Sequence, residues 1–369
     1  MSVLRRLPRS FAFGLTALVA LTVQPAVAQQ ARLDAFVVRL KPDAMKAGVS
    51  SATFDRAMRV VQYDQEAIDK SQRQLEFKLT IANYIDTQVS DTRISRGQQA
   101  LAQYGDVLAR LERQYGVDRY SILAVWGMET NYGATMGGHN VISALSTLAC
   151  CAKRRNEFFR KELIAALQII QMGQVTPENM IGSWAGAMGQ TQFMPTNFKP
   201  YAADGDGDGR RDIWESAPDA LASTANFLRK HGWQPGQKWG REVVGARGGK
   251  LFMPAGPNGP AFLTTANYRV IKRYNNADSY ALAVAHLSDR IRGGGRFQTP
   301  WPNHDAPLDE QGRMELQTLL AQRGFDVGAP DGKIGPATRD AIASYQRQQG
   351  LAPDGYAGVS LLRRIRTGR

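Results

Sequence analysis

Trp126-Gly127-Met128-Glu129-Thr130-Asn131-Tyr132-Gly133 is the stretch on which the reading of this chain turns. Ile122, Val125 and Glu129 keep the three/four spacing of one helix face, so a carboxyl falls where a core residue is expected. Gly133 is the expected helix stop. Apolar surroundings disfavour a charged carboxylate, which raises its pKa toward neutrality and suits a general acid. Spacing alone also allows a plainer reading, a solvated glutamate at a helix end. Upstream, Leu101, Tyr104, Leu108, Leu111 and Tyr115 form a stripe that predicts the core face of one helix; Gly116 ends it and Asp118 caps the next.

Working outward, residues 34–231 read as mostly helical, interrupted by a Gly-rich stretch (Gly182 to Gly189) and an acidic loop (Asp204 to Gly209). Residues 234–273 are rich in Gly and Pro. Short strands or irregular loops are expected there, around Val243-Val244 and Tyr268 to Ile271. A helix resumes at Asp278 and stops at Gly293-Gly294-Gly295. Residues 299–309 hold three prolines without periodicity and read as a linker. Residues 310–369 then form a small unit in which Asp331-Gly332 through Gly335 and Asp354-Gly355 through Gly358 repeat one turn after a helical segment.

Composition and termini bound the function. The net charge of +13 suits an acidic polymer, an anionic lipid or nucleic acid. Residues 1–28 read as a cleaved signal peptide: Arg5, Arg6 and Arg9 precede an apolar run from Phe11 to Val23, and Ala26-Val27-Ala28 is a small-x-small cleavage site. The run is shorter than the roughly 20 residues that span a bilayer, and no cysteine follows it to carry a lipid. The expectation is a soluble periplasmic protein without a membrane anchor. Export argues against nucleic acid as a partner. Cys150 and Cys151 leave two readings open, a vicinal disulfide or two reduced residues at a helix end. The four histidines have no zinc-ligand spacing.

With the segments placed, a resemblance emerges. WGMETNYG resembles the catalytic-glutamate motif of the lytic murein transglycosylase B family, glycoside hydrolase family 103. Ser183-Trp184-Ala185-Gly186-Ala187-Met188-Gly189-Gln190-Thr191-Gln192-Phe193-Met194-Pro195 resembles its S-x-AGAMG-x-x-QFMP segment, and Tyr274-Asn275-Asn276-Ala277-Asp278-Ser279-Tyr280-Ala281 its YN-x-S/A-x-x-YA segment. The resemblance implies a mainly α (α+β) fold: a lysozyme-like catalytic domain over residues 29–298 with a small irregular β-containing subdomain, followed by a C-terminal three-helix bundle. It implies Glu129 as the sole catalytic acid, then base. Ser183 and Gln192 would line the cleft, and Tyr274, Asn275 and Tyr280 would shape the opposite wall and hold the N-acetyl group or the glutamate. The implied reaction cleaves the MurNAc–GlcNAc bond of peptidoglycan without water and leaves 1,6-anhydromuramic ends. Ordinary glycosidases use two carboxylates; here Asp278 is the one acid in the cleft segments that could serve as a second, which would make the enzyme a hydrolase. A non-enzymatic wall-binding protein would leave the Glu129 constellation unexplained.

Asp204-Gly205-Asp206-Gly207-Asp208-Gly209-Arg210-Arg211-Asp212-Ile213-Trp214-Glu215 fits the pattern of an EF-hand loop. Asp204, Asp206, Asp208, the Arg210 carbonyl and Glu215 would hold a structural Ca2+, with Asp212 acting through water. The family resemblance, which implies a loop that is often lengthened, makes Asp219 an alternative last ligand. No organic cofactor is expected. Residues 310–369 resemble a peptidoglycan-binding domain of type 1, through Leu316-Gln317, Gly324-Phe325, Asp331-Gly332, Thr338, Tyr345-Gln346 and Asp354-Gly355. The expected partners are peptidoglycan glycan strands and wall-synthesis enzymes, and the expected state is a monomer.

Overall fold

The structure, a computed structural model, describes residues 20–73, 79–245, 251–255, 259–302, 305–306, 308–351, 353 and 355–368. Arg5, Arg6 and Arg9 of the expected leader lie outside the described residues, as do Asn303, His304 and Pro307 of the expected linker and Asp354 of the second turn. The described residues begin in α1 (Ala20–Lys46), which runs through the expected cleavage point at Ala28, and continue through α2 (Ser51–Met58), α3 (Gln65–Arg73), α4 (Ile81–Gln88), α5 (Asp91–Gln103), α6 (Gly105–Tyr115) and α7 (Arg119–Thr130). No described helix is long and apolar enough to cross a membrane.

α7 is the axis of the larger unit. Ile122, Leu123, Ala124 and Val125 are all fully buried and Trp126 nearly so; a helix apolar on every side belongs inside a core. Each large side chain so enclosed contributes about 1.5–3 kcal/mol. Asp118 caps its start, accepting the Ser121 N–H at 3.1 Å, and the preceding helix stops at Gly116 with φ of 70°, as its sequence suggests.

Around α7 pack α5, α6, α11 (Ala217–Lys230) and α13 (Asp278–Ile291). To one side lie β1 (His139–Asn140), α8 (Val141–Cys151), α9 (Asn156–Gln171), β2 (Ile181–Gly182) and α10 (Pro195–Tyr201). β1 pairs with β2 antiparallel, His139 opposite Gly182, and β3 (Gly240–Glu242) with β4 (Phe262–Thr264), Arg241 opposite Leu263. α12 (Ala266–Tyr274) follows β4. Cys150 and Cys151 are joined as a disulfide at the end of α8.

Two local expectations are corrected. The stripe from Leu101 to Tyr115 spans two helices, because the chain breaks between Gln103 and Gly105; Leu108 and Leu111 are core while Leu101 and Tyr104 pack at its edge. Tyr268 to Ile271 is helix α12, and the strands of this region are β3 and β4. Tyr268, Val270 and Ile271 bury themselves as a helix face, so an apolar run too short to show its period took helical form in its tertiary setting.

The C-terminal unit has a core of its own, built on Leu316, Leu320, Ile342, Tyr345, Leu362 and Ile365 from α14 (Glu310–Ala321), α15 (Pro336–Gln348) and α16 (Val359–Thr367). The repeated turn has one physical basis. Gln317 Oε1 accepts the Gly332 N–H at 2.8 Å, and Gln346 Oε1 accepts the Gly355 N–H at 2.9 Å. Both glycines stand in the left-handed region, with φ of 74° and 65°. The segment read as a linker is divided between the two units: Trp301 packs on the larger core, whereas Leu308 enters the smaller one and Asp305 accepts bonds from Ser360 N–H and Oγ.

Candidate active site

The site forms where α7 ends. The helix stops at Thr130, ahead of the expected stop at Gly133, because Asn131 itself takes the left-handed conformation (φ 50°, ψ 48°), followed by Tyr132 at φ 62° and Gly133 at φ 81°. Asn tolerates this region; for Tyr it costs about 1–3 kcal/mol, held by surrounding contacts. Those contacts are visible. The Tyr132 phenol lies directly on Gly97 and Gly127, where a Cβ would come within 2.5 Å of its hydroxyl and 2.6 Å of its ring, and the hydroxyl donates to the Arg93 carbonyl at 2.9 Å. The Thr130 hydroxyl accepts from Gly133 N–H at 3.1 Å and donates to the Gln190 carbonyl at 3.0 Å.

Glu129 projects from this last turn. Tyr280, on α13, donates its hydroxyl to Glu129 Oε1 at 2.5 Å. Burial pushes the carboxyl up to about 7, against the Tyr280 bond, which favours its charged form. The phenols around it respond in kind. Tyr280 and Tyr274 are held well above the ordinary tyrosine range, first by burial and then by the charge of Glu129, and Tyr84 on α4 is pushed up to about 12 for the same two reasons. Glu129, partly buried, thus has one neutral tyrosine as its hydrogen-bond partner and two more close enough to feel its charge. Asp278, the candidate second acid, turns elsewhere: Lys272 Nζ lies 2.7 Å from its Oδ1, and the Tyr268 hydroxyl 3.3 Å.

The Gly-rich segment faces the same turn. Gly182 pairs with His139, Met188 bridges both Gly182 and Phe193, and Gln192, itself at φ 50°, donates its amide to the carbonyls of Met136 and Gly189, each at 3.0 Å. Ser183 Oγ accepts the Ala187 N–H at 3.1 Å, closing the turn. Tyr274 donates to the Thr191 carbonyl at 2.8 Å, which joins this segment to α12. Glu129, Tyr280 and Tyr274 are therefore one cluster, with Ser183 and Gln192 on the loop tied to it. Asn275 is exposed beside them.

Two contributors carry no signal in the sequence. Gln190, buried, accepts from Trp126 Nε1 at 3.1 Å and donates to the Trp214 carbonyl at 2.9 Å, which fastens α7 to the acidic loop. Tyr84 sits in an unremarkable helix, IANYIDTQ, with no motif to single it out.

In the acidic loop the carboxylates of Asp204, Asp206 and Asp208 each bring an oxygen within 4.8 Å of the others, all exposed. Among the described residues no lysine or arginine pairs with them. Their partners are backbone N–H groups and the Ser216 hydroxyl. Three unbalanced carboxylates in such a space fit a hard divalent cation. Glu215 is exposed, its N–H bound to Asp212 Oδ1. Asp219 is fully buried and accepts the N–H groups of Gly205 at 2.7 Å and Asp212 at 2.6 Å, so it clamps the two ends of the loop.

Comparison with known proteins agrees with this layout. A family model described as the transglycosylase SLT domain matches residues 32–248 and 244–289, and a peptidoglycan-binding-domain model matches residues 309–365. Membrane-bound lytic murein transglycosylase B of Escherichia coli strain K12 is 32% identical over 235 residues, 55% of this chain; the aligned stretch spans 65% of that protein's length. The structure of SltB3 from Pseudomonas aeruginosa in complex with NAG-anhNAM-pentapeptide is 43% identical and covers 90% of this chain and 99% of its own, at a TM-score of 0.71. Escherichia coli Slt35 in complex with calcium is 26% identical, covers 71% of this chain and 93% of its own, and gives a TM-score of 0.61.

Proposed function

The chain belongs to the family of the transglycosylase SLT domain, and from that premise we propose that it is a peptidoglycan lytic transglycosylase in which Glu129 acts first as acid and then as base. The observation that carries this reading is one carboxyl, raised to about 7 by burial, with a tyrosine as its hydrogen-bond partner and Asp278 engaged with Lys272 instead.

A group poised near neutral pH both gives and takes a proton readily. Protonated Glu129 donates to the glycosidic oxygen as the bond from the muramic C1 breaks. The carboxylate then accepts the proton of the C6 hydroxyl while O6 bonds to C1. The proton lost in the first step is regained in the second, and water takes no part. Tyr280, itself hard to ionise, stabilises the carboxylate between the two steps. The substrate's own N-acetyl oxygen stabilises the cationic carbon, as in substrate-assisted exceptions to the two-acid rule. Ser183, Gln192, Tyr274 and Asn275 are the candidates for holding the sugars.

Asp204, Asp206 and Asp208, with the Arg210 carbonyl, would hold Ca2+, whose contribution is structural: it fixes the loop that reaches Trp126 through Trp214 and Gln190. The position of Asp219 suits a clamp on the loop better than a ligand. The basic, leader-like N-terminus supports a periplasmic protein, and the murein and NAG-anhNAM-pentapeptide named for the relatives support glycan strands as its substrate. Digesting purified sacculi with the protein and weighing the released muropeptides tests the reading. Products one water lighter than hydrolytic ones are expected; reducing ends would make the protein a hydrolase.

A further inference from the structure

The helix that carries Glu129 is closed by three successive residues in the left-handed region, Asn131 at φ 50°, Tyr132 at 62° and Gly133 at 81°. Glycine enters that region freely and asparagine with little cost. A tyrosine persists there only when its side chain is held from outside. The Asn131 N–H still reaches the Gly127 carbonyl at 3.0 Å, so the turn stays tied to the helix end and Glu129 lies inside the loop that this bond closes.

What holds Tyr132 is a slot between two helices. On one side stands Gly127, two residues ahead of Glu129 on α7, where a Cβ would meet the phenol at 2.6 to 2.8 Å. On the other stands Gly97 of α5, where a Cβ would come 2.5 Å from the hydroxyl. Both glycines are buried in regular helix, where alanine is the better helix former, so what they provide is room for the phenol and not a special backbone. The hydroxyl is fixed by the Arg93 carbonyl, one turn before Gly97 on α5. Trp126 meets the ring edge-on at 5.7 Å and is itself bonded to Gln190. The phenol therefore cannot swing aside without giving up its bond or entering α7.

We propose that Tyr132, seated in the slot of Gly97 and Gly127, is a positioning residue for the acid/base: its phenol, wedged between α5 and α7, fixes the last turn of α7 and with it how far Glu129 is withdrawn from water. The proposal rests on the reading of Glu129 as acid and base given above. The groups that act on Glu129 are phenols from three elements, Tyr84 on α4, Tyr274 at the end of α12 and Tyr280 on α13. Burial outweighs the Tyr280 bond in setting its proton affinity. A last turn that moves toward solvent thus reaches the carboxyl mainly as lost burial, which favours the charged form.

Gly97→Ala in the full chain is the test, because it leaves Glu129 and Tyr280 chemically intact and favours the α5 helix, yet its methyl displaces the phenol. On sacculi kcat should fall about tenfold to a hundredfold, as for a misplacement of about an ångström, with KM within about twofold. The decline of kcat/KM above about pH 7 should move about one unit lower, because the carboxyl loses burial. Tyr132→Phe, which keeps the ring and gives up the Arg93 bond, should show the same changes in smaller measure, and it carries the test if Gly97→Ala melts early. The two substitutions together should lie closer to wild type than Gly97→Ala alone, since the atom nearest the new methyl is gone; Ile291 Cδ1, 2.7 Å from the same point, ends a flexible chain and can turn away. An unchanged enzyme, a fall in rate with the pH profile unmoved or moved upward, or a double variant as impaired as the two losses multiplied would overturn the proposal. The melting temperature of each form against its own Glu129→Gln partner reads the same proton without turnover. The gap at about pH 8 should be smaller in the Gly97→Ala background than in wild type, and an equal gap would overturn the proposal. That arm stands even if no glycan is cut, whereas the absence of 1,6-anhydro ends would count against the lytic reading alone.

Discussion

The end of α7 and the loop from Asp204 to Asp208 are both defined by carboxyl groups, and their surroundings drive them in opposite directions. Glu129 is single, hydrogen-bonded by Tyr280, and raised to about 7 by burial. Asp204 is exposed among like neighbours, and the N–H groups of Gly207 and Gly209 hold it below the usual carboxylate range. One region keeps a proton available; the other keeps a charge available. The lesson is that the number of acids in a segment says little about its chemistry until the donors and the solvent around each acid are known.

The largest expected effect breaks the first side of the comparison. Glu129→Gln keeps the shape and removes the proton, so turnover of sacculi should fall about 10³-fold or more, because one group serves both proton transfers. The melting curve should stay cooperative. Next comes the second side. If the loop holds Ca2+, the cation at 100 times its Kd stabilises the fold by about 2.7 kcal/mol. A chelator, or Asp206→Asn, should lower the melting temperature by several degrees while saturated turnover changes less. An unchanged melting temperature would remove the metal from the account.

The parts of the molecule are unequally legible in the sequence. WGMETNYG, the Gly-rich segment and the YNNADSYA segment single out Glu129, Ser183, Gln192, Tyr274 and Tyr280 through their resemblance to one family's motifs, whereas helical spacing alone leaves Glu129 open to a plainer reading. The helices around them follow from apolar spacing and from caps such as Asp118 and Gly116. Tyr84 is invisible because its role comes from the packing of α4 on α13, a helix far along the chain, and nothing local encodes that. Gln190 is eclipsed by Gln192, two residues on in the same motif, since a pattern does not say which amide turns inward. The α12 segment suggests a strand because a short apolar and aromatic run beside so many glycines and prolines displays no period.

A subtler consequence of the raised carboxyl sharpens the contrast. The pKa of Glu129 lies near 7 folded against 4.5 for the ordinary group, so the unfolded chain releases this proton first as pH rises. The stability it contributes is complete below about 4.5 and lost as pH climbs through 7. Glu129→Gln, which cannot ionise, should therefore melt a few degrees above wild type at pH 8, with the gap closing toward pH 4.5. A gap that ran the other way would mean that the carboxylate is paired in the fold. The acid step gives a matching rate prediction: kcat/KM should decline above about pH 7, and Tyr280→Phe, by removing the bond that favours the carboxylate, should move that decline to higher pH at a cost of roughly tenfold in rate. The smallest effect is expected at Asp278. Bound to Lys272 and directed away from Glu129, it should tolerate Asp278→Asn within about twofold, as a surface ion pair is worth about 1 kcal/mol or less. A loss near that of Glu129→Gln would identify it as the second acid of a hydrolase.

The most direct measurement is the mass of the glycan ends released from sacculi in water enriched in oxygen-18. Ring closure by a single carboxyl predicts 1,6-anhydro ends, one water lighter than reducing ends and free of label; reducing ends that carry the label would contradict it.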